Sequence, residues 1–159
     1  MGEKGREIAK LDHKWLIGEL SKAYAFEWVV HHYAALASNI VSGLRTPVNA
    51  EIFKKAAEGE FGHANRIAKR IAELGGEPIA TLSEMEKLAG FGKVNFPKER
   101  SDIKGFVKVF LKMEQHAISL YNDLAQKTHG KDLVTHELAE DLLADEVAEE
   151  EEYENMLRE

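Results

Sequence analysis

The segment that decides the fold is residues 58–78, which read EGEFGHANRIAKRIAELGGEP. Apolar residues recur along it at steps of three and four, which is the spacing of one face of an α-helix. Glu60 and His63 lie on that face, where apolar residues are expected, and form a Glu-x-x-His pair. The glycines at 75–76 end the helix, since glycine favours the position just after a helix. The segment therefore predicts a helix that carries ionisable groups on its core face.

Three other long segments show the same helical spacing, and none alternates with the period of a β-strand, so we predict an all-α chain. The expected helices cover about residues 13–42, 46–75, 101–130 and 132–159, with Thr46 and Ser101 as N-caps. Short links join the first helix to the second and the third to the fourth, so each pair is expected to be antiparallel. The link of about 25 residues between the second and third helices is long enough to cross a bundle. Within it, Ser83-Glu-Met-Glu86 is the capping-box pattern of a short helix.

The composition limits the kinds of partner and chemistry. The chain has 159 residues, no cysteine, and 21 Lys and Arg against 28 Asp and Glu, for a formal net charge of −7. This length predicts one domain over residues 1–159, with residues 1–12 as an N-terminal tail. The negative charge argues against a nucleic-acid partner, because phosphate neutralisation requires clustered Lys and Arg. Without cysteine, any metal chemistry must use His, Asp, Glu or Tyr.

The sequence also predicts the cellular location of the protein. Residues 1–10, MGEKGREIAK, lack the apolar stretch of a signal peptide, so we expect a cytoplasmic protein. The longest apolar-rich stretch, residues 23–37, is interrupted by Glu27, His31 and His32. It is also shorter than the roughly 20 apolar residues that span a bilayer. We therefore expect no membrane segment.

Glutamates stand on the core face of every expected helix. Besides Glu60, they are Glu27 in the first helix, Glu114 in the third, and Glu146 and Glu149 in the fourth. Each lies near the middle of its helix, so the helix connections are expected to bring them to one height. Burying even one unpaired anion costs several kcal/mol, and clustered carboxylates repel each other, so a cation is expected among them. Carboxylates with one or two imidazoles suit iron or manganese, and four or more carboxylates suit a pair of ions.

Several residues near this cluster have more than one possible role. His31, one turn after Glu27, is a further ligand, a partner that orients a ligand, or a hydrogen-bonded core histidine. Glu150 competes with Glu149 for the last ligand position. Tyr121 hydrogen-bonds a ligand, donates an electron or simply packs in the core. The remaining histidines without a partner pattern are expected at the surface: His13, His32, His129 and His136.

Four segments resemble the Dps-like ferritins of archaea and some bacteria, which are related to bacterioferritin within the ferritin-like superfamily. They are AYAFEWVVHHYAALA at 23–37, EGEFGHANRIAKRIAELGGEP at 58–78, KMEQHAISLYNDLA at 112–125 and LLADEVAEEEE at 142–152. The resemblance covers nearly the whole length. It implies a ferritin-like four-helix bundle with one long crossover that contains a short helix.

The resemblance also implies a di-metal site. The family pattern is a Glu from each of two helices and a Glu-x-x-His from each of the other two. The matching residues are the terminal carboxylates Glu27 and Glu114, the bridging carboxylates Glu60 and Glu146, and the imidazole of His63. Glu149 stands where the second imidazole is expected, so one metal position has oxygen ligands alone. This difference should weaken the second position and favour harder ions.

The activity that the resemblance implies is ferroxidation. Two Fe(II) ions bind, O2 or H2O2 accepts their electrons, and the ferric product is stored, which protects against oxidative stress. Haem is not expected, because Phe61 stands where bacterioferritin has its haem-ligating Met. Thiol chemistry is not expected either, because His116 stands where the Dps-like branch has a cysteine. The short crossover helix and the lack of a fifth long helix favour a homo-oligomeric cage of 12 subunits.

Two other functions remain open at this stage. The first is a rubrerythrin-like or manganese-catalase-like peroxide scavenger, which uses the same bundle but stores no iron. The second is a metal-free helical bundle that acts as an interaction module, with its glutamates toward water or subunit interfaces. Oligomer size separates storage from the first alternative, and the effect of a chelator on the melting temperature tests the second.

Overall fold

The computed structural model describes residues 2–158, and within this range the chain forms six α-helices and no β-strand. The helices are α1 (Glu3–Ile8), α2 (His13–Ile40), α3 (Thr46–Glu73), α4 (Leu82–Ala89), α5 (Ile103–Thr128) and α6 (Leu133–Arg158). The prediction of an all-α four-helix bundle is confirmed, and the buried apolar faces of α2, α3, α5 and α6 form its core. None of the helices in the described range has an apolar stretch long enough to cross a membrane.

The bundle is built from two helix hairpins. Helix α2 packs against α3, and α5 packs against α6, while α2 also contacts α5 and α3 contacts α6. Residues 41–45 link the first pair and residues 129–132 link the second, so each pair is antiparallel, as predicted. The second link turns at Gly130, whose φ of 66° lies in the left-handed region that glycine adopts without strain.

The crossover between the hairpins, residues 74–102, spans the height of the bundle. It starts beside the first turns of α2, where Gly76 lies so close to Ile17 that an added Cβ would stand 2.9 Å from that side chain. It ends beyond the last turn of α2, where the Ser42 N–H donates to the Arg100 carbonyl at 2.9 Å. The part of α2 between these points, residues 17–40, extends about 35 Å. The expected short helix is α4, which packs against α2.

The N-caps differ from those predicted by one or two residues. Helix α4 is capped at Thr81 rather than Ser83, and the Thr81 hydroxyl hydrogen-bonds a glutamate in the first turn. Helix α5 is capped by Asp102 rather than Ser101, because the Asp102 carboxylate accepts a backbone N–H of the first turn at 2.9 Å. A carboxylate is favoured there over a hydroxyl because its negative charge interacts with the helix dipole. Thr46 is the first residue of α3 rather than its cap.

The segment predicted as an N-terminal tail is docked on the bundle where the structure describes it. It contains α1, and Ala9 just after this helix is only 7% exposed. The Lys10 N–H donates to the Lys131 carbonyl in the link between α5 and α6, at 2.8 Å. The segment therefore packs against the end of the second hairpin.

A buried ion pair holds the start of α6 against the end of α3. Arg70 is 3% exposed, and its guanidinium donates to both oxygens of Asp132 at 2.8 and 3.0 Å and to the Thr135 hydroxyl at 2.8 Å. Asp132 also accepts the Thr135 N–H at the start of α6, at 3.3 Å. Burial alone would raise the pKa of Asp132, but hydrogen bonds from Thr135 and Arg70 hold that pKa below its usual value. Asp132 is therefore ionised in its pair with Arg70.

We expect Asp132→Ala to lower the free energy of unfolding by about 3 kcal/mol, because the buried Arg70 guanidinium loses its buried carboxylate partner and keeps the partly exposed Glu73, 3.1 Å from its Nη1. Asp141→Ala is the matched control, since Asp141 pairs with Arg66 at 2.9 Å but is 61% exposed. That control should cost less than about 1 kcal/mol. Urea unfolding followed by circular dichroism measures both variants, and equal losses would contradict the assigned role of the buried pair.

Candidate metal centre

The six predicted ligand residues meet in the interior of the bundle. They come from all four long helices: Glu27 from α2, Glu60 and His63 from α3, Glu114 from α5, and Glu146 and Glu149 from α6. The first five are at most 7% exposed, whereas Glu149 is partly buried. The antiparallel hairpins and the full-height crossover bring these residues to one level of the bundle.

The candidate ligand atoms form two groups that share Glu60. One group contains Glu27, Glu60, His63 and Glu146, and the other contains Glu60, Glu114 and Glu149. Within each group, one nitrogen or oxygen atom from every residue lies within 4.8 Å of the others. Two overlapping groups suit two ions that share one carboxylate. Glu146, expected from the resemblance to bridge as Glu60 does, belongs to the first group only.

Most side-chain nitrogen and oxygen atoms of this cluster have no hydrogen-bond partner. Among the described residues, eight buried side-chain nitrogen and oxygen atoms are unpaired, and seven of them belong to five members of the cluster: Glu27, Glu60, His63, Glu114 and Glu146. Each such group costs about 1–3 kcal/mol, and more when it is charged. A cation satisfies them together, and a donor set of carboxylate oxygens and one imidazole nitrogen fits iron or manganese.

The His63 ring is oriented by a carboxylate on each side. Its Nδ1 atom faces the cluster, 3.0 Å from Glu146 Oε1 and 3.4 Å from Glu60 Oε2. Its Nε2 atom lies 3.4 Å from Asp145 Oδ2, which is also 3.6 Å from Arg66 Nη1. A carboxylate behind a metal-binding imidazole fixes the ring and its tautomer. Sequence reasoning missed Asp145, and its position directly before Glu146 was the only available indication.

Burial and repulsion change the pKa values of the carboxyl groups. Burial, followed by the charge of Glu27, raises the pKa of Glu60 well above its usual value. Burial, followed by the charge of Glu60, does the same to the pKa of Glu114. Burial alone would raise the pKa of Glu27, but the neighbouring Glu60 and His63 side chains lower it. The raised pKa values favour the protonated forms of Glu60 and Glu114 in the metal-free site, whereas a bound cation favours their ionised forms.

Two further groups complete the protonation pattern. Burial alone would lower the pKa of His63, but the carboxylates of Glu146 and Glu27 raise it to about 11. Burial, followed by the charge of Glu146, raises the pKa of Glu149 from 4.5 to about 7. Since a metal binds the deprotonated ligands, metal binding at this cluster must release protons.

The structure distinguishes between the possible roles of Tyr121, His31, Glu149 and Glu150. The Tyr121 hydroxyl donates to Glu27 Oε1 and is fully buried, so it orients a candidate ligand. His31 Nδ1 donates to the Ala57 carbonyl at 2.7 Å, and His31 belongs to neither ligand group. Glu149 belongs to the second group, whereas Glu150 belongs to none. His31 is therefore a hydrogen-bonded packing residue at the α2–α3 contact, and Glu149 is the better candidate for the last ligand.

The fold and the buried cluster together define a ferritin-like protein. The family model described as "Ferritin-like domain" matches residues 17–159, so the chain belongs to this family, as the sequence predicted.

Comparison with individual proteins agrees with the family. The chain is 31% identical, over 99% of its length and 86% of the relative's, to the "DNA protection during starvation protein" of Pyrococcus furiosus. A solved structure, described as a dodecameric thioferritin and the bacterioferritin-related protein of Bacteroides fragilis, superposes with a TM-score of 0.89. It is 30% identical, over 99% of this chain and 94% of that one. A Dps homologue from Halobacterium salinarum, 18% identical, shares the fold with a TM-score of 0.83 over 91% of this chain and 80% of that one.

Proposed function

We propose that this protein is a ferroxidase that binds two Fe(II) ions per chain, oxidises them with O2 or H2O2, and so serves iron storage and oxidative protection. The observation that carries the proposal is the pair of ligand groups that share Glu60 and contain seven buried atoms without a hydrogen bond. A structural bundle has no physical reason to bury so many unpaired carboxylate oxygens. A pair of divalent cations supplies that reason.

Each ligand group has its own role in this proposal. Glu60 is shared by the two positions, and His63 Nδ1 with Glu27 and Glu146 completes the first. Glu114 and Glu149 complete the second. Each Fe(II) loses one electron, and O2 takes two electrons and two protons to give H2O2, or H2O2 takes two electrons and two protons to give two water molecules. The raised pKa values of Glu60 and Glu114 favour proton release from these groups when Fe(II) binds, and such protons are close to the site of this reduction.

A cavity beside Glu149 offers Fe(II) a route to the centre. Its volume is about 560 Å³, and Glu149, Glu152, Glu51 and Tyr153 are among its lining residues. Three carboxylates against one lysine, Lys55, leave this opening negatively charged, which attracts divalent cations. Because Glu149 is both a lining residue and a candidate ligand, an ion that enters here meets the second position first.

The two metal positions have unequal donor sets, and this difference supports one alternative function, a manganese-dependent peroxide scavenger. The second position has oxygen ligands only, and this set suits Mn(II) as well as Fe(II). A manganese-loaded protein would act as a peroxide scavenger rather than as an iron store.

We infer a homo-oligomeric cage, since the Bacteroides fragilis relative is described as dodecameric. A cytoplasmic location remains a separate prediction from the sequence. We infer no role for nucleic acid, because the net charge of −7 opposes phosphate binding.

The decisive experiment is an anaerobic Fe(II) titration of the metal-stripped protein, followed by admission of O2 while ferric absorbance is recorded. We expect saturation near two Fe(II) per chain and oxidation within seconds to minutes. A parallel Mn(II) titration and sedimentation analysis are the controls for metal preference and cage size. Binding of Fe(II) without oxidation would contradict the ferroxidase proposal, and selective tight binding of Mn(II) by a dimer would support the peroxide scavenger.

A further inference from the structure

A second group of metal-ligand side chains lies at the link between α5 and α6, away from the bundle centre. His129 is the C-cap residue of α5, and His136 lies at the start of α6. Along α6, ten residues separate His136 from Glu146, which corresponds to about 15 Å. Both histidines were predicted to be solitary surface residues. Their side chains instead form a pair, with His129 Nδ1 3.2 Å from His136 Nε2.

The His136 ring is fixed by a hydrogen bond from one nitrogen, as metal-binding imidazoles usually are. Its Nδ1 atom donates to the Ala125 carbonyl at 2.9 Å, which leaves the lone pair on Nε2. This side chain is only 15% exposed, so its ring orientation is restricted by its surroundings. A backbone carbonyl that accepts from the rear nitrogen fixes the tautomer that a metal ion needs at the front nitrogen.

The two distances at His136 Nε2 are compatible with ligands of one ion, but His129 and Glu140 as placed do not bring their ligand atoms within 4.8 Å of each other, so the 61% exposed side chain of Glu140 has to turn toward His129 to complete the set. Two nitrogens 3.2 Å apart, each about 2.1 Å from an ion, subtend about 100° at that ion. Glu140 Oε1 lies 3.5 Å from the same Nε2. Two donor atoms at this separation, each about 2.1 Å from an ion, subtend about 110° at that ion. Both angles lie near the tetrahedral value. Two imidazoles, one carboxylate and water form the donor set of Zn(II) or a similar divalent transition-metal ion.

We propose that His129, His136 and Glu140 form a separate site for one divalent transition-metal ion of the Zn(II) type. The ion replaces the proton that the two imidazoles share, and Glu140 supplies a negative charge. Its binding would join the end of α5 to the first turns of α6, at the link whose Lys131 carbonyl also holds the N-terminal segment. The site is independent of the proposed ferroxidase, because it shares no residue with the bundle centre.

The test is a calorimetric Zn(II) titration of the metal-stripped double variant Glu60→Ala/His63→Ala. These substitutions remove the shared carboxylate and the imidazole of the bundle centre, so Zn(II) bound there does not obscure the result. We expect one Zn(II) per chain. Addition of His129→Ala should weaken this binding by more than about tenfold, since loss of an outer-shell partner alone costs 10- to 100-fold. Absence of Zn(II) binding in the double variant would overturn the proposal.

Two further variants in the same background separate the site from general effects on folding. His32→Ala is the control, since His32 is an exposed histidine on α2, and it should leave Zn(II) affinity unchanged. Glu140→Gln keeps the side-chain size and both imidazoles, and it should weaken Zn(II) binding by about tenfold. Circular dichroism checks that each variant remains helical. Equal Zn(II) affinity in the His129→Ala and His32→Ala variants would overturn the site, whatever the outcome of the Fe(II) titration.

Discussion

Glu60→Ala is expected to reduce the Fe(II) stoichiometry from about two ions per chain to near zero. Glu60 is the only residue that belongs to both ligand groups among the described residues. Without it, the second position retains only Glu114 and Glu149, and the first loses the carboxylate beside His63. An anaerobic Fe(II) titration by equilibrium dialysis measures the loss. Normal binding of two ions by this variant would show that the ligand assignment is wrong.

Two companion variants make this experiment specific. Glu58→Ala alters an exposed carboxylate on the same helix and should retain both ions. His63→Ala should mainly weaken the first position, because His63 belongs to that group only. We therefore expect about two ions for Glu58→Ala, about one for His63→Ala and almost none for Glu60→Ala. If Glu58→Ala lost as much Fe(II) as Glu60→Ala, the effect would be one of surface charge rather than ligation.

The metal-stripped protein is expected to become less stable as the pH rises from 5 to 8. A carboxyl whose pKa is raised by folding binds a proton that the unfolded chain has already lost, so stability falls between the two pKa values. For Glu149 that interval runs from 4.5 to about 7, and the raised pKa values of Glu60 and Glu114 act in the same direction. His63, with a pKa raised from 6.5 to about 11, adds the same trend above pH 6.5.

The size of this effect follows from proton linkage. Each proton retained by the folded state contributes a slope of about 1.4 kcal/mol per pH unit, which corresponds to roughly 3 °C or more in melting temperature for a chain of this size. Bound metal removes these protons, so the metal-loaded protein should melt higher at pH 8 and vary less with pH. Differential scanning calorimetry of both forms at pH 5 to 8 tests this.

The variant Glu60→Gln tests whether the cluster causes the change of melting temperature with pH. In metal-stripped Glu60→Gln, the amide cannot ionise, so the melting temperature should fall less steeply with pH than in the unaltered protein. Asp141→Asn, which changes a 61% exposed carboxylate that belongs to neither ligand group, should leave the slope unchanged. A metal-stripped protein that gains stability between pH 5 and 8 would contradict the protonation pattern of the cluster.

Much of the site was predictable because it depends on local periodicity. Glu60 and His63 lie three residues apart on one helix face, and Glu27, Glu114 and Glu146 interrupt the apolar faces of their own helices. Such interruptions can be recognised from the sequence alone, since a helix face repeats every three to four residues. The long link between the second and third helices likewise indicated that the chain crosses the bundle.

Other features depend on fine backbone geometry or on distances between helices, and these could not be predicted. The N-caps at Thr81 and Asp102 differ from those expected, because neighbouring polar residues compete for the same backbone groups and small differences in backbone geometry decide between them. The contact of Asp145 with His63 depends on the rotation of α6 relative to α3. A rotation of one residue, about 100°, would replace one side chain by its neighbour at the interface.

The sequence by itself determined the four long helices, the antiparallel hairpins, the crossover and the buried glutamates, because helix periodicity and link length are local properties of the chain. The tertiary structure alone decided that Glu149 rather than Glu150 joins the second ligand group, and that Glu60 is common to both groups. It also decided that His129 and His136 form a pair. These outcomes depend on the packing distance and rotation of helices that are remote in sequence, and no local pattern records them.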